Sequence, residues 1–262
     1  MDKNKPHILV SNDDGINAPG IDALIMELQK IARVSVVAPS IERSAVGHAI
    51  TLSDPLRVAE FQKEDRWEGY SVSGTPADCI KIAVCELLKD EPDLVISGIN
   101  LGSNTGINVI YSGTVSAATE GTILGIPSFA ISLTTYTNPN FLPAAKFAVK
   151  MVNKISRFDL PEKTLLNINV PNVKKYEDIK GVKITRQGMS PFAEEFEKRI
   201  DLKNRAYYWL GGSKSPIEED LEIDDSAVKE KHISITPIQF DLTNYEYMKS
   251  LKNKITESTF NG

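Results

Sequence analysis

Short apolar runs that end in polar turns recur along the first two thirds of the chain. Three of them, at 8–10, 34–38 and 93–97, read as strands, and 20–30 has apolar residues at a helical spacing. Wholly apolar runs of this length are typical of strands that are covered on both faces. A strand, a helix and a second strand within so few residues form a βαβ unit with parallel strands. The pattern therefore predicts an α/β fold built on a mostly parallel sheet.

The remaining periodicity predicts further elements and a change of character near Pro171. Further strands are expected at 50–57, 70–73, 127–132, 165–170, 182–185, 196–200, 205–210 and 232–236, and further helices at 75–88, 117–124, 141–155 and 244–255. Beyond Pro171 the chain is more charged and includes an acidic run, 218–225. We expect residues 1–171 to form the core. Residues 172–262 should form a projecting hairpin and a C-terminal strand and helix that serve oligomer contacts and complete the core. Projecting pairs of this kind often serve subunit contacts or cover a site, and a simple surface hairpin is equally consistent.

The first polar turn contains two adjacent carboxylates, Asp13 and Asp14. Carboxyl ends of parallel strands share one edge of the sheet, where open α/β folds bind ligands. The turns that contain Ser44 and Asn100 should therefore meet this acidic pair. Two carboxylates ~5 Å apart repel by about 3 kcal/mol at an effective dielectric near 20, and a hard divalent cation would convert that repulsion into coordination. The alternative is an ordinary turn or helix cap, because Asn, Asp and Gly are common turn residues.

A second group of residues could hold an anion. The loop at 98–106 is rich in Gly and Asn, and Ser112, Gly113 and Thr114 precede a helix of small residues. Backbone amides and hydroxyls at a helix N-terminus suit a phosphate group. Capping by Ser112 or Thr114 is the structural alternative. A P-loop and a dinucleotide fingerprint are both absent from the sequence.

Helix capping explains the start of the helix at 75–88. Thr75 is expected at the N-cap, Pro76 at the first helical position, and Asp78 as the second half of a capping box.

Composition and charge argue against some classes of partner and indicate a compartment. The net charge of the 262 residues is −5, and no basic stripe with interleaved aromatics occurs, which argues against nucleic acid. No apolar stretch is long enough to span a membrane. The only cysteines, Cys79 and Cys85, would lie about 9 Å apart along one helix, too far for a disulfide. We therefore expect reduced cysteines and a cytoplasmic protein.

Several strings in this order resemble the SurE family (survival protein E). They are Asn12-Asp13-Asp14-Gly15; Ala38-Pro39 with Arg43-Ser44-Ala45 and Gly47-His48; Gly74-Thr75-Pro76-Ala77-Asp78-Cys79; Ser97-Gly98-Ile99-Asn100 with Gly102 and Asn104; Tyr111-Ser112-Gly113-Thr114-Val115-Ser116-Ala117; Asn167-Ile168-Asn169-Val170-Pro171; and Ile233-Ser234-Ile235-Thr236-Pro237. The likeness covers nearly the whole chain, and 174–225 matches least clearly.

The resemblance implies a Rossmann-like three-layer α/β/α sandwich with a smaller C-terminal extension. It also implies a 5′/3′-nucleotidase that uses one divalent cation, Mg2+ or Mn2+, per subunit and assembles as a homodimer or homotetramer by exchanging C-terminal elements. The residues implied as metal ligands are Asp13, Asp14, Ser44 and Asn100, with Asn12 orienting the acidic pair. Those implied for substrate and phosphate are Ser44, Asn100, Asn104, Ser112, Gly113 and Thr114.

The expected reaction removes phosphate from nucleoside monophosphates by in-line attack of a metal-activated water. Direct attack by one carboxylate of the pair is a less favoured mechanism, since aspartyl-phosphate enzymes usually separate their two aspartates by one residue. A metal-dependent nucleotide sensor without catalysis is the alternative function. His48 could assist proton transfer or could be a structural loop histidine.

Overall fold

The computed structural model describes residues 5–155, 157–189, 192–214 and 220–255. Its strands are β1 (His7–Ser11), β2 (Arg33–Pro39), β3 (Val58–Lys63), β4 (Trp67–Val72), β5 (Leu94–Leu101), β6 (Ser128–Thr134), β7 (Thr164–Pro171), β8 (Gly181–Ile184), β9 (Phe192–Ile200), β10 (Ala206–Lys214) and β11 (His232–Gln239). One sheet has the order β3-β4-β2-β1-β5-β6-β7-β11-β8, and β9 and β10 form a separate antiparallel pair. From β4 to β7 every neighbouring pair is parallel.

Helices cover both faces of this sheet. They are α1 (Pro19–Leu28), α2 (Pro76–Ile82), α3 (Asn108–Tyr111), α4 (Gly113–Ile123), α5 (Leu142–Ile155), α6 (Asp224–Lys229) and α7 (Tyr245–Lys254). Helices α1 and α5 pack together on one face, and α2 and α4 on the other. In β1, Ile8 and Val10 belong to the α1 side and Leu9 to the α2 side, which explains why this strand is wholly apolar. The predicted three-layer α/β/α sandwich is confirmed.

Close packing sets the position of α1. A Cβ added at Gly20 would lie 2.0 Å from the carbonyl oxygen of Ile99, so only glycine lets this helix approach β5 so closely.

Helix α2 begins as the sequence predicts: Thr75 accepts a hydrogen bond from the N–H of Asp78, and the Asp78 carboxylate accepts one from the N–H of Thr75. Both cysteines are free thiols, as expected.

Several predicted strands differ from the structure in their bounds, and β3 was not predicted. The strand expected at 50–57 is wrong: this segment has no regular strand, because Thr51 is bound by Asp78 and Pro55 lacks the N–H that a ladder needs. Strand β5 is longer than predicted and continues past an irregularity between Gly98 and Asn100. Asn100 therefore lies in the last part of the strand rather than in the following loop.

The C-terminal part contributes two strands to the main sheet and also forms a separate antiparallel pair. Strands β8 and β11 extend the sheet beyond β7, while the β9–β10 pair is a separate hairpin. The acidic run at 218–225 lies partly outside the described residues, and α6, which begins at Asp224, was not predicted. Helix α7 begins and ends within one residue of the prediction. In the part of the chain that the structure describes, no helix is long and apolar enough to cross a membrane.

Candidate active site at the carboxyl edge of the sheet

The acidic turn after β1 is connected to three other segments. Asp13 is buried, its Oδ1 accepts a hydrogen bond from the Thr114 hydroxyl, and its backbone carbonyl accepts one from the Arg43 N–H at 2.7 Å. Asp14 Oδ2 accepts a hydrogen bond from the Leu101 N–H at 3.0 Å. The turn is thus held against the loop after β2, the end of β5 and the start of α4.

Burial and mutual repulsion disfavour the charged forms of this pair. Burial raises the pKa of Asp14 to about 6, with a further contribution from the charge of Asp13, while the Leu101 N–H acts in the opposite direction. Burial also raises the pKa of Asp13, and its hydrogen bond with Thr114 offsets part of this shift. The Glu42 carboxylate adds to the repulsion on both. A bound cation would relieve this repulsion.

The other expected ligands lie on the neighbouring segments. The Ser44 hydroxyl donates a hydrogen bond to Glu42 at 2.6 Å, and the Asn100 amide nitrogen donates one to the Gly102 carbonyl at 2.8 Å. The second bond leaves the Asn100 amide oxygen as the atom that could face a cation. The Asn12 amide nitrogen donates to the Gly15 carbonyl at 2.9 Å, and its buried Oδ1 has no hydrogen-bond partner within the described residues.

This donor set fits a hard divalent cation. Within the described ranges, no group of three or more His, Cys, Asp or Glu residues is placed to hold a metal. A cation here would therefore be held by two carboxylates and by neutral oxygens from Ser44 and Asn100. Few protein ligands and several places for water or phosphate oxygens are typical of Mg2+ sites.

A cavity of about 700 Å³ opens beside the acidic turn. Its walls are formed by Asp13, Ser44, Ala45, Asn100, Leu101, Ser103, Asn104, Ile107, Asn108, Tyr111, Ser112, Tyr136, Met189, Glu194 and Leu210. The lining combines polar residues, among them Asp13, Ser44 and Asn100, with aromatic and apolar residues, among them Tyr136, Met189 and Leu210. Sequence reasoning assigned no role to Glu42, Tyr136 or Met189, and no motif pointed to them.

Residues at the start of α4 have two roles: they cap the helix and they contact the acidic turn. The Ser112 Oγ accepts a hydrogen bond from the Val115 N–H at 3.0 Å, so this residue caps the helix while also lining the cavity. The Thr114 hydroxyl is committed to Asp13. A Cβ added at Gly113 would lie 2.7 Å from the Asp13 Cβ, so only glycine fits between the helix and the acidic turn.

A buried network of amides holds Asn104 on the cavity wall. Its side chain donates to the Ser132 hydroxyl at 2.8 Å, and its carbonyl oxygen accepts from Asn167 at 2.7 Å and from Asn169 at 3.0 Å. Asn169 also accepts the Asn104 N–H at 2.9 Å. These contacts give a physical role to the Asn167–Asn169 motif, which had no assigned role in the sequence.

His48 does not line the cavity. Its Nε2 lies 2.9 Å from the carboxylate of Glu120, which also accepts a hydrogen bond from Lys81 at 2.6 Å. The Nε2 atom of His48, which could have transferred a proton, is therefore hydrogen-bonded to Glu120 of α4.

Comparison with known proteins gives one consistent result. The family model described as "Survival protein SurE" matches residues 8–194. The protein of Syntrophus aciditrophicus named 5′-nucleotidase SurE is 51% identical over 252 residues, which is 96% of this chain and 94% of that protein. The protein of the same name from Chlorobium chlorochromatii is 49% identical over 247 residues, covering 94% of this chain and 90% of that protein.

A solved structure agrees with these relatives. The crystal structure of the SurE protein from Aquifex aeolicus superposes with a TM-score of 0.83 at 42% identity, over 95% of this chain and 99% of that one. Sequence likeness at this level and a shared fold over almost the whole length leave a single assignment: the chain belongs to the SurE family.

Proposed function

We propose that this protein is a 5′-nucleotidase of the SurE type, a phosphoric monoester hydrolase acting on nucleoside 5′- and 3′-monophosphates. The observation that carries the proposal is the convergence of Asp13, Asp14, Ser44 and Asn100 at one edge of the sheet, beside a cavity lined by both polar and apolar residues. Relatives that match nearly the full length are named 5′-nucleotidase SurE, which supports the same reaction.

In this proposal the part of the cavity that is lined by Asp13, Ser44 and Asn100 holds phosphate and one divalent cation, Mg2+ or Mn2+. When bound, such a cation polarises a phosphate and lowers the pKa of a coordinated water. Asp13 and Asp14 hold the cation together with Ser44 and Asn100, and Asn12 orients the acidic pair. One of the two carboxylates orients the water for in-line attack on phosphorus or accepts its proton.

The remaining cavity residues bind the substrate. In this proposal Ser112, Gly113, Thr114 and Asn104 hold the phosphate at the start of α4. The aromatic side chains that line the cavity, including Tyr111 and Tyr136, suit the flat face of a nucleobase. Small-molecule sites commonly combine an apolar wall with a few convergent polar groups.

Phosphate release from AMP and GMP, measured across metals, tests the proposal. Purified protein should release phosphate with Mn2+ or Mg2+ and lose activity when a chelator is added. A rate that is independent of metal would refute the role of the cation. Nucleotide binding without phosphate release under every metal would instead favour the alternative, a nucleotide sensor.

Substitution of the buried carboxylate tests the ligand assignment. Asp13→Asn removes one charge and leaves the side-chain shape, so turnover should fall by a factor of about 1,000 or more. The circular dichroism spectrum should stay the same. Turnover near that of the parent protein at saturating Mn2+ would show that Asp13 is not a ligand.

We further propose that residues 172–262 serve oligomer contacts beyond the core at 1–171, in a homodimer or homotetramer. Helix α7 carries exposed Tyr247 and Leu251, and the exposed Ile255 follows its last residue; a second copy of the chain could cover this apolar set. The two free thiols agree with a reducing compartment, which supports a location in the cytoplasm.

A further inference from the structure

The segment that follows the Ser44 turn is attached to the helices at nearly every residue. The contacts are Gly47 N–H to the Tyr111 carbonyl at 3.0 Å, His48 Nε2 to Glu120 at 2.9 Å, Thr75 hydroxyl to the Ala49 carbonyl at 2.7 Å, and Thr51 hydroxyl to Asp78 at 2.6 Å. The Ser44 side chain itself contacts only its neighbour Glu42 among these interactions. The backbone around Ser44 is therefore held on one side by Arg43, whose N–H donates to the Asp13 carbonyl at 2.7 Å, and on the other side by the segment at 47–51.

The contact between His48 and Glu120 is made with a buried charge. Only 3% of Glu120 is exposed, whereas the side chain of His48 is 33% exposed. Burial raises the pKa of Glu120, but hydrogen bonds from His48 and Lys81 outweigh it and hold the pKa below the usual value. Glu120 is therefore a fixed negative charge, and hydrogen bonds to such a charge are stronger than those between neutral groups.

Glu120 belongs to the helix that also fixes the acidic turn. Thr114, in the first turn of α4, donates its hydroxyl to Asp13, and Glu120 lies six residues later on the same helix, about 9 Å along its axis. One rigid element therefore contacts both Asp13 and the segment that carries Ser44.

We propose that the pair of His48 and Glu120, together with the hydrogen bond from Arg43 to Asp13, holds Ser44 at its distance from Asp13, and that loss of this pair lowers the affinity of the protein for its divalent cation. The inference rests on the proposed function, in which those two residues are metal ligands. His48 is then a positioning residue rather than a proton donor. Groups that orient metal ligands typically contribute a factor of about 10–100 in metal affinity.

Mn2+ binding to the full chain in the absence of nucleotide tests this proposal, with free Mn2+ measured by electron paramagnetic resonance. His48→Ala and Glu120→Gln should each weaken Mn2+ binding about tenfold. His48→Gln, which keeps an N–H donor for Glu120, should restore binding to within about threefold of the parent. In activity assays, His48→Ala should raise the Mn2+ concentration needed for half-maximal rate and leave kcat at saturating Mn2+ nearly unchanged.

Lys81→Met provides the matched control. It removes the Lys81 ammonium group that binds Glu120 but leaves the contact with His48 in place, so Mn2+ binding should stay within about twofold of the parent. Its melting temperature should fall about as much as that of His48→Ala. A change in Mn2+ affinity only in the variants that lose the His48 contact separates positioning from general destabilisation.

The outcomes distinguish this inference from the proposed function. If the parent protein binds Mn2+ and His48→Ala binds it equally well, the positioning role is wrong. If His48→Ala loses kcat at saturating Mn2+ and one limb of its pH–rate profile, His48 transfers a proton and the inference is also wrong. If the parent does not bind Mn2+ at all, it is the proposed metal-dependent function that fails.

Discussion

Gly113 is a residue at which space beside the acidic turn is restricted. Its missing side chain leaves room for Asp13 on one side and for Pro76 on the other, since an added Cβ would lie 2.7 Å from the Asp13 Cβ and 3.1 Å from the Pro76 ring. Glycine here serves close packing against a carboxylate rather than an unusual backbone angle.

Gly113→Ala should therefore displace the Asp13 carboxylate while α4 remains folded. We expect phosphate release to fall about 100-fold, because displacements near 1 Å have costs of this order. The free energy of unfolding should change by less than about 2 kcal/mol. Gly211→Ala is the control, since its added carbon would meet the Glu195 carbonyl at an ordinary 3.7 Å. Equal activities of these two variants would contradict the prediction.

Asp78 gives the folded protein a defined response to acid. Burial raises the pKa of its carboxyl, but hydrogen bonds from Thr51 and Thr75 outweigh it, so the pKa is lowered. A lowered pKa contributes stability that is present above the unfolded value near 3.9 and is lost as the pH falls through the folded value.

Asp78→Asn should reduce the free energy of unfolding by about 1–3 kcal/mol at pH 7, because the amide cannot accept all of these hydrogen bonds. The difference from the parent should shrink below pH 4, where the parent carboxyl becomes protonated. Urea denaturation at pH 7, 5 and 3 measures it. Asp90→Asn, at an exposed ion pair with Arg33, should change stability by less than about 1 kcal/mol at every pH. A pH-independent difference for Asp78→Asn would contradict this account.

Sequence reasoning at the residue scale worked where topology brings residues together. Asp13 and Ser44 each follow a parallel strand, so their approach at one edge could be predicted without coordinates. The hydrogen bonds from Thr114 to Asp13 and from His48 to Glu120 could not, because they depend on how α4 is rotated against the sheet. Tyr136 and Met189 lie in loops with no periodicity, which gave no signal for their place in the cavity.

At the scale of elements, the approach of α1 to β5 depends on one position. Gly20→Ala would place a methyl group 2.0 Å from the Ile99 carbonyl oxygen, so the helix must move outward. We expect a loss of about 2–3 kcal/mol in the free energy of unfolding, typical of overpacking. Because Ile99 directly precedes Asn100, activity should fall as well. Chemical denaturation and phosphate release measure the two effects, and a loss of stability below 0.5 kcal/mol would show that the helix is not held so closely.

The elements themselves followed from hydrophobic periodicity wherever both faces of a strand are buried. The segment at 50–57 misled that reasoning, because its apolar residues alternate as in a strand although Asp78 holds Thr51 in an irregular path. A side chain 27 positions away in the sequence decided the local structure, and periodicity does not report such contacts.

At the scale of the whole molecule, α7 leaves apolar side chains uncovered in a single copy. We expect light scattering to give at least a dimer, and Leu251→Glu to shift the protein towards the monomer, since burying this charge in an apolar contact is costly. Lys249→Glu changes a charge that lies about 200° around the helix axis from Leu251, so it should leave the assembly unchanged. A monomeric parent protein, or a Leu251→Glu variant of unchanged mass, would contradict the proposed oligomer contact.

Because Thr114 and Glu120 are contacted from different directions, the spacing between them along α4 is fixed as firmly as their identities. One residue inserted between them would rotate Glu120 by about 100° around the helix axis, so that Glu120 would no longer face His48. Every side chain of both contacts would still be present in the sequence. We expect the stretch from 114 to 120 to tolerate substitution far better than any change in its length.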